Sequence, residues 1–153
     1  MRIIFGVAIT LAFAACKKEP LPEINPPISK IPYIEFISVD PTTVIEYQDS
    51  IIFRLFYQDG DGDLGYQDPD INSLYLIDTR IFTVEKMHIP LLAPENANVA
   101  IQGELIVKLD RTILIDPTST SETVVFKLQI QDRAGNFSNY IDSPPITVLP
   151  YAD

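Results

Sequence analysis

Cysteine and histidine each occur once in the 153 residues, as Cys16 and His88. A lone cysteine excludes an internal disulfide framework, so stability must come from packing or a bound ion. A zinc site would have to lean on carboxylates. Basic residues are scarce too: 11 Lys and Arg stand against 21 Asp and Glu, for a net charge of −10. That balance argues against nucleic acid as a partner, because such binding rests on neutralising phosphates with Lys and Arg. There is no Gly-x-Ser-x-Gly elbow and no glycine loop of the phosphate-cradling kind. No internal repeat is present, and nothing after Phe13 keeps a helical period over a useful length. Long apolar runs are also missing. The longest, Ile3 to Phe13, has eleven residues, whereas a membrane-spanning helix needs roughly 20.

That short run has the form of a secretory h-region, with Arg2 ahead of it and the small residues Ala14 and Ala15 behind. Cys16 follows directly. The arrangement resembles a bacterial lipoprotein signal, with Phe13 where leucine is usual. It implies cleavage of residues 1–15, lipid on Cys16 and attachment to a membrane; without the lipid, the same run would be an ordinary signal peptide. With the thiol lipidated, a Cys–His nucleophilic pair with His88 is excluded. Lys17 replaces the aspartate that retains such lipoproteins at the inner membrane. Lys17-Lys18-Glu19 is similar to the export tags of Bacteroidota surface lipoproteins. An outer-membrane location follows from that resemblance, on the periplasmic face or the cell surface.

Removing residues 1–15 takes one base, Arg2, and leaves 10 basic against 21 acidic residues, a net charge of about −11. Residues 16–32 read as the lipidated cysteine and a tether. Pro20, Pro22, Pro26, Pro27 and Pro32 punctuate it, and polyproline II geometry would give it a reach of about 50 Å.

From Tyr33 to Asp153 the pattern has period two and predicts a single domain. Strands are expected over Tyr33–Val39, Ser50–Tyr57, Asn72–Asp78, Arg80–Ile89, Gly103–Asp110, Glu122–Gln131 and Asn139–Leu149. The second carries Ile51, Phe53, Leu55 and Tyr57 on one face, and the sixth carries Val124, Phe126, Leu128 and Ile130. Pro144-Pro145 confines part of the last strand to a sheet edge or a bulge. About seven short strands with turn signals between them predict an all-β fold. The expected form is an immunoglobulin-like or fibronectin III-like antiparallel β-sandwich.

The loop after the second expected strand places Asp59, Asp61 and Asp63 alternately with glycines, then Asp68 and Asp70. Three carboxylates within five residues repel one another unless a cation sits among them. Ca²⁺ takes about 6–8 oxygen ligands. The spacing resembles the start of an EF-hand loop, but Leu64 replaces the sixth-place glycine, Asp70 the twelfth-place glutamate, and strands flank it. The expectation is therefore a looser Asp-rich Ca²⁺ loop. A solvated turn fits the same residues.

A second segment, Asp132-Arg133-Ala134-Gly135-Asn136-Phe137-Ser138, resembles a turn near the last strand of many bacterial immunoglobulin-like domains. In a sandwich of that kind the two loops lie at one end. Asp132, or the carbonyl of Asn136, would then complete a shell begun by Asp59, Asp61, Asp63 and Asp70. Equally, Asp132 would cap a backbone amide and Gly135-Asn136 would set a hairpin. His88 reads as structural or exposed.

Together these features resemble a cell-surface lipoprotein of Bacteroidota with an immunoglobulin-like domain. The resemblance implies a non-enzymatic binding or adhesion module, anchored through Cys16, with an unidentified protein or glycan partner. The alternative is a glycan-presenting accessory lipoprotein of an outer-membrane nutrient-uptake complex, for which an exposed row of aromatic residues would be the sign.

Overall fold

Alternation of apolar and polar side chains is realised as alternating burial along the strands of a computed structural model, which describes residues 27–152. The leader, Cys16 and most of the expected tether lie outside the described residues. Among the described residues ten strands form: β1 (Tyr33–Asp40), β2 (Thr43–Ile45), β3 (Ile51–Asp59), β4 (Leu74–Asp78), β5 (Thr83–Met87), β6 (Ile101–Leu109), β7 (Glu122–Val124), β8 (Phe126–Ile130), β9 (Ile141–Asp142) and β10 (Ile146–Leu149). No helix occurs among the described residues.

Three sheets organise them: β1-β3-β6, β5-β4-β8-β9 and the smaller β2-β10-β7. All pairings are antiparallel except β2 with β10, which is parallel. The fold is all-β and sandwich-like. The expectation of about seven antiparallel strands is corrected, among the described residues, to ten strands with one parallel pair. The difference has local causes. The strand expected over Glu122–Gln131 changes neighbours at Val125: β7 pairs with β10 and β8 with β4. At that break the Val125 carbonyl accepts from both the backbone N–H and the hydroxyl of Thr79. The last expected strand breaks at Pro144-Pro145, which lack N–H donors, giving β9 and β10. The tenth strand, β2, has three residues and pairs with the far end of the chain, so it leaves no local periodic signal.

The core forms where the two larger sheets face each other. Ile51, Phe53 and Leu55 of β3 are fully buried, and Tyr57 nearly so. Opposite them stand Val124 and the β8 residues Phe126, Leu128 and Ile130. Phe53 meets Phe126 edge-on, with ring centroids 5.6 Å apart at 78°. Asn139 closes one side of the sandwich. Its carboxamide accepts from Ile34 N–H at 3.0 Å and donates to the Ile34 carbonyl at 2.9 Å, satisfying both groups on the outer edge of β1.

Arg80, expected to start the fourth strand, sits instead in a turn before β5. Its guanidinium pairs with Asp78 at 2.6 Å and Glu122 at 2.7 Å. The Glu122 carboxylate also accepts from the backbone N–H groups of Ile115 and Asp116, which fixes the 110–121 loop.

Phe53→Ala should lower unfolding free energy by about 3–5 kcal/mol, the usual range for a buried phenylalanine. Asn139→Ala should cost about 1–3 kcal/mol, because it leaves two backbone groups unpaired. Urea unfolding of both variants measures the difference.

Candidate metal site

Period two carries the site into the core. In β3 the inward row Ile51, Phe53, Leu55, Tyr57 continues to Asp59, and Asp59 is fully buried. In the facing sheet the inward row Phe126, Leu128, Ile130 of β8 continues past the strand to Asp132, also fully buried. The loop after β3 folds back so that Leu64 forms a β-bridge with Asp132. Asp63 is thereby placed between the two. Asp59, Asp63 and Asp132 each present a carboxylate oxygen within 4.8 Å of the others.

Backbone donors hold these carboxylates in place. Asp59 Oδ2 accepts from Asp63 N–H at 2.9 Å, and Asp63 Oδ2 accepts from Ala134 N–H at 3.1 Å. Asp132 Oδ1 accepts from Asn136 N–H at 2.7 Å, and its Oδ2 from the Asn136 side-chain amide at 2.8 Å. Gly62 makes the fold-back possible: its φ is +74°, and a Cβ there would lie 2.5 Å from the Val99 carbonyl oxygen. What remains is a set of buried oxygens without a hydrogen-bond partner: Oδ1 of Asp59, Asp61 and Asp63.

Burial pushes the Asp59 carboxyl up to about 6, with the charges of Asp63 and Asp61 adding to the rise and hydrogen bonds from Asp63 and Gly62 opposing it. Asp63 is raised as well, first by burial and then by the charges of Asp132 and Asp61. Two cations stand beside the group, and neither neutralises the trio by direct pairing. Lys30 reaches Asp61 Oδ2 at 3.6 Å from an exposed position. Arg133 donates to the carbonyls of Leu64, Gly65 and Glu95, at 3.4, 2.9 and 3.2 Å.

Of the six residues expected at the site, the structure gathers Asp59, Asp63 and Asp132, with Asp61 at their border. Asn136 is exposed and its carbonyl accepts from Asp132 N–H at 3.0 Å, so it orients Asp132. Asp70 is exposed and outside the trio; its N–H donates to Asp68 Oδ1 in a local turn. His88 has Nδ1 2.9 Å from the Ile71 carbonyl oxygen, as a structural histidine would. Arg133, which ties three loop carbonyls together, was not singled out by the sequence. A residue next to an inward-facing aspartate, aimed at the facing loop, is a signal visible only once the sheets are paired.

Three carboxylate oxygens within 4.8 Å of one another suit a hard cation, since ligands about 2.3–2.6 Å from Ca²⁺ are at most about 5 Å apart. The buried oxygens supply the unsatisfied acceptors such an ion needs.

In chelator, stability should fall as pH rises. Asp59 titrates near 6 when folded and at the ordinary 3.8 when unfolded, so its ionised form opposes folding. The cost is absent below the unfolded value, builds between roughly 4 and 6, and is complete above that. A two-unit rise corresponds to on the order of 3 kcal/mol. Most of that cost is already present at about pH 5.5, so the melting temperature should be only modestly higher there than at about pH 7.5, and Asp59→Asn should flatten that dependence.

Compared with known proteins, the chain matches no family model, no curated protein and no solved structure.

Proposed function

We propose that this protein is a lipid-anchored, non-enzymatic binding module of the outer membrane, held through Cys16, with a fibronectin III-like sandwich whose β3–β4 and β8–β9 end is closed by Ca²⁺. The observation that carries the metal reading is the carboxylate trio of Asp59, Asp63 and Asp132, with Oδ1 of Asp59, Asp61 and Asp63 inaccessible to solvent and without hydrogen-bond partners. Asp59, Asp63 and Asp132 would hold the ion, Asp61 would border it, and solvent would complete the shell. Because the oxygens are buried, an ion there would tie two loops together instead of activating a substrate. That favours binding over catalysis. The sandwich reading rests on β1-β3-β6 facing β5-β4-β8-β9. The lipid anchor rests on the leader and on Cys16 alone.

The glycan-presenting alternative is favoured by one surface. On the outer side of the β5-β4-β8-β9 sheet, Tyr75, Ile77, Val84, Gln129, Phe137 and Tyr140 line an open hollow of about 370 Å³. Phe137 and Tyr140 are exposed, and Phe137 lies 5.7 Å from Tyr75 between ring centroids. Such rings offer an apolar face to a sugar, with Gln129 available for hydroxyls.

Ca²⁺ should raise the melting temperature by a few degrees and Mg²⁺ should not. At ten to a hundred times Kd, a ligand specific to the native state contributes about 1.4–2.7 kcal/mol. Asp61→Asn combined with Asp63→Asn should abolish the shift while leaving the circular dichroism of the metal-free protein unchanged. Absence of any Ca²⁺ shift in the unmutated protein would reduce the loop to a buried turn.

A further inference from the structure

Strand β6 is the outer strand of its sheet. It pairs with β3 over nine consecutive residues without a bulge, from Ile101 opposite Asp59 to Leu109 opposite Ile51. On its other side no strand pairs with it among the described residues. It contains no proline. Long, regular, unblocked edges of this kind present a row of backbone donors and acceptors to another strand.

The solvent face of β6 carries Gln102, Glu104, Ile106 and Lys108, all exposed, followed by Asp110. At its centre Ile106 is 58% exposed. The order is self-complementary. In an antiparallel pairing of two copies with Ile106 opposite Ile106, Glu104 stands opposite Lys108 of the second copy, and Lys108 opposite its Glu104. Directly opposed residues of unlike charge stabilise antiparallel strands, and like charges destabilise them. Moving the centre by one residue removes the match: about Val107, Glu104 would oppose Asp110, and about Leu105 it would oppose Ile106. The partners these side chains have within one copy are exposed and exchangeable. Arg54 lies 4.0 Å from Glu104, and Lys108 2.7 Å from Asp110.

The inner face agrees. Leu105 and Leu109 are only half-buried, although they face the core. The seam beneath this edge holds a hollow of about 270 Å³ with Leu105, Val107, Met87 and Ile89 among its walls. Two other edges fit a second copy less well. That of β1 is bridged at Ile34 by Asn139. The five-residue β5 has Glu85 at its centre, so self-pairing there would oppose like charges.

We infer that β6 is a self-association strand: two copies of this chain join antiparallel about Ile106, extending β1-β3-β6 into a six-stranded sheet across a two-fold axis. The interface is isologous, so its two charged pairs are equivalent, each copy contributing Glu104 to one and Lys108 to the other.

The full chain carrying Ile106→Cys, expressed with its own leader and oxidised mildly in cells, tests this on a non-reducing gel against the unmutated chain and a Tyr140→Cys control. The expected result is a disulfide-linked homodimer at position 106 and not at 140. Adding Glu104→Lys or Lys108→Glu to the Ile106→Cys chain should each reduce the cross-link severalfold. Co-expressing the two charge variants should restore it, because each then opposes the other's complementary charges. Cross-linking no stronger at 106 than at 140 would overturn the inference. So would charge variants that cross-link like the parent, or a product whose mass shows another protein on this edge.

Discussion

Two aspartates forced inward by strand periodicity are the constraint on which one end of this molecule depends. Asp59 and Asp132 occupy the next inward positions after rows of apolar residues in β3 and beyond β8. The hydrophobic packing of Phe53 against Phe126, and of the residues around them, presses the sheets together and carries both carboxylates into the interior. A buried carboxylate is costly unless it is hydrogen-bonded, neutralised or bound to a metal. The loop and turn sequences at this end follow from that requirement. Asn136 donates its backbone N–H and its side-chain amide to Asp132, Ala134 gives its N–H to Asp63, and Gly62 adopts a left-handed conformation so that Asp63 can return to Asp59.

At the opposite end of β4 and β8 two half-buried carboxylates are held by another device. There Asp78 and Glu122 share the Arg80 guanidinium, whose planar fork meets both acids directly. Desolvation acts to lower the Arg80 pKa, yet its two acidic partners leave it raised overall. At the Asp59 end the nearby arginine, Arg133, is turned onto backbone carbonyls, and the acids are left facing one another. One protein thus contains both a closed ion-pair network and an acidic group with acceptors to spare. The contrast makes the surplus negative charge a local property of the site, beyond the general acidity of the chain.

Much of this was legible in the sequence, and the limits were physical. The inward rows of β3 and β8 were plain because period two is a local property. The switch of neighbours at Val125 was not, since it depends on which strand lies alongside. Nor was β2, whose three residues find a partner about a hundred residues away. At the site, the aspartates are visible in the sequence but their grouping in space is not. Numbering the loop as an EF-hand draws in Asp70, whereas Asp70 turns outward onto Asp68. Extending the strand alternation by one more step would have singled out Asp59 and Asp132 together. Inward direction, which periodicity gives, groups Asp59 with Asp132, and spacing along the loop does not.

The acidic trio and the aromatic hollow are joined by a short stretch of backbone. Phe137 follows Asn136 directly, and its bridge to Gln131 closes the turn that begins at Asp132. The same turn is fastened at Asp132 by Asn136 and at Asp63 by Arg133 and Ala134. Any ion held by Asp63 and Asp132 would therefore brace both anchor points of the segment that presents Phe137 beside Tyr75. Without an ion, mutual repulsion of the carboxylates acts on those same anchors. A buried cation would in this way govern an exposed surface without touching its ligand, by fixing the turn on which one aromatic wall is built.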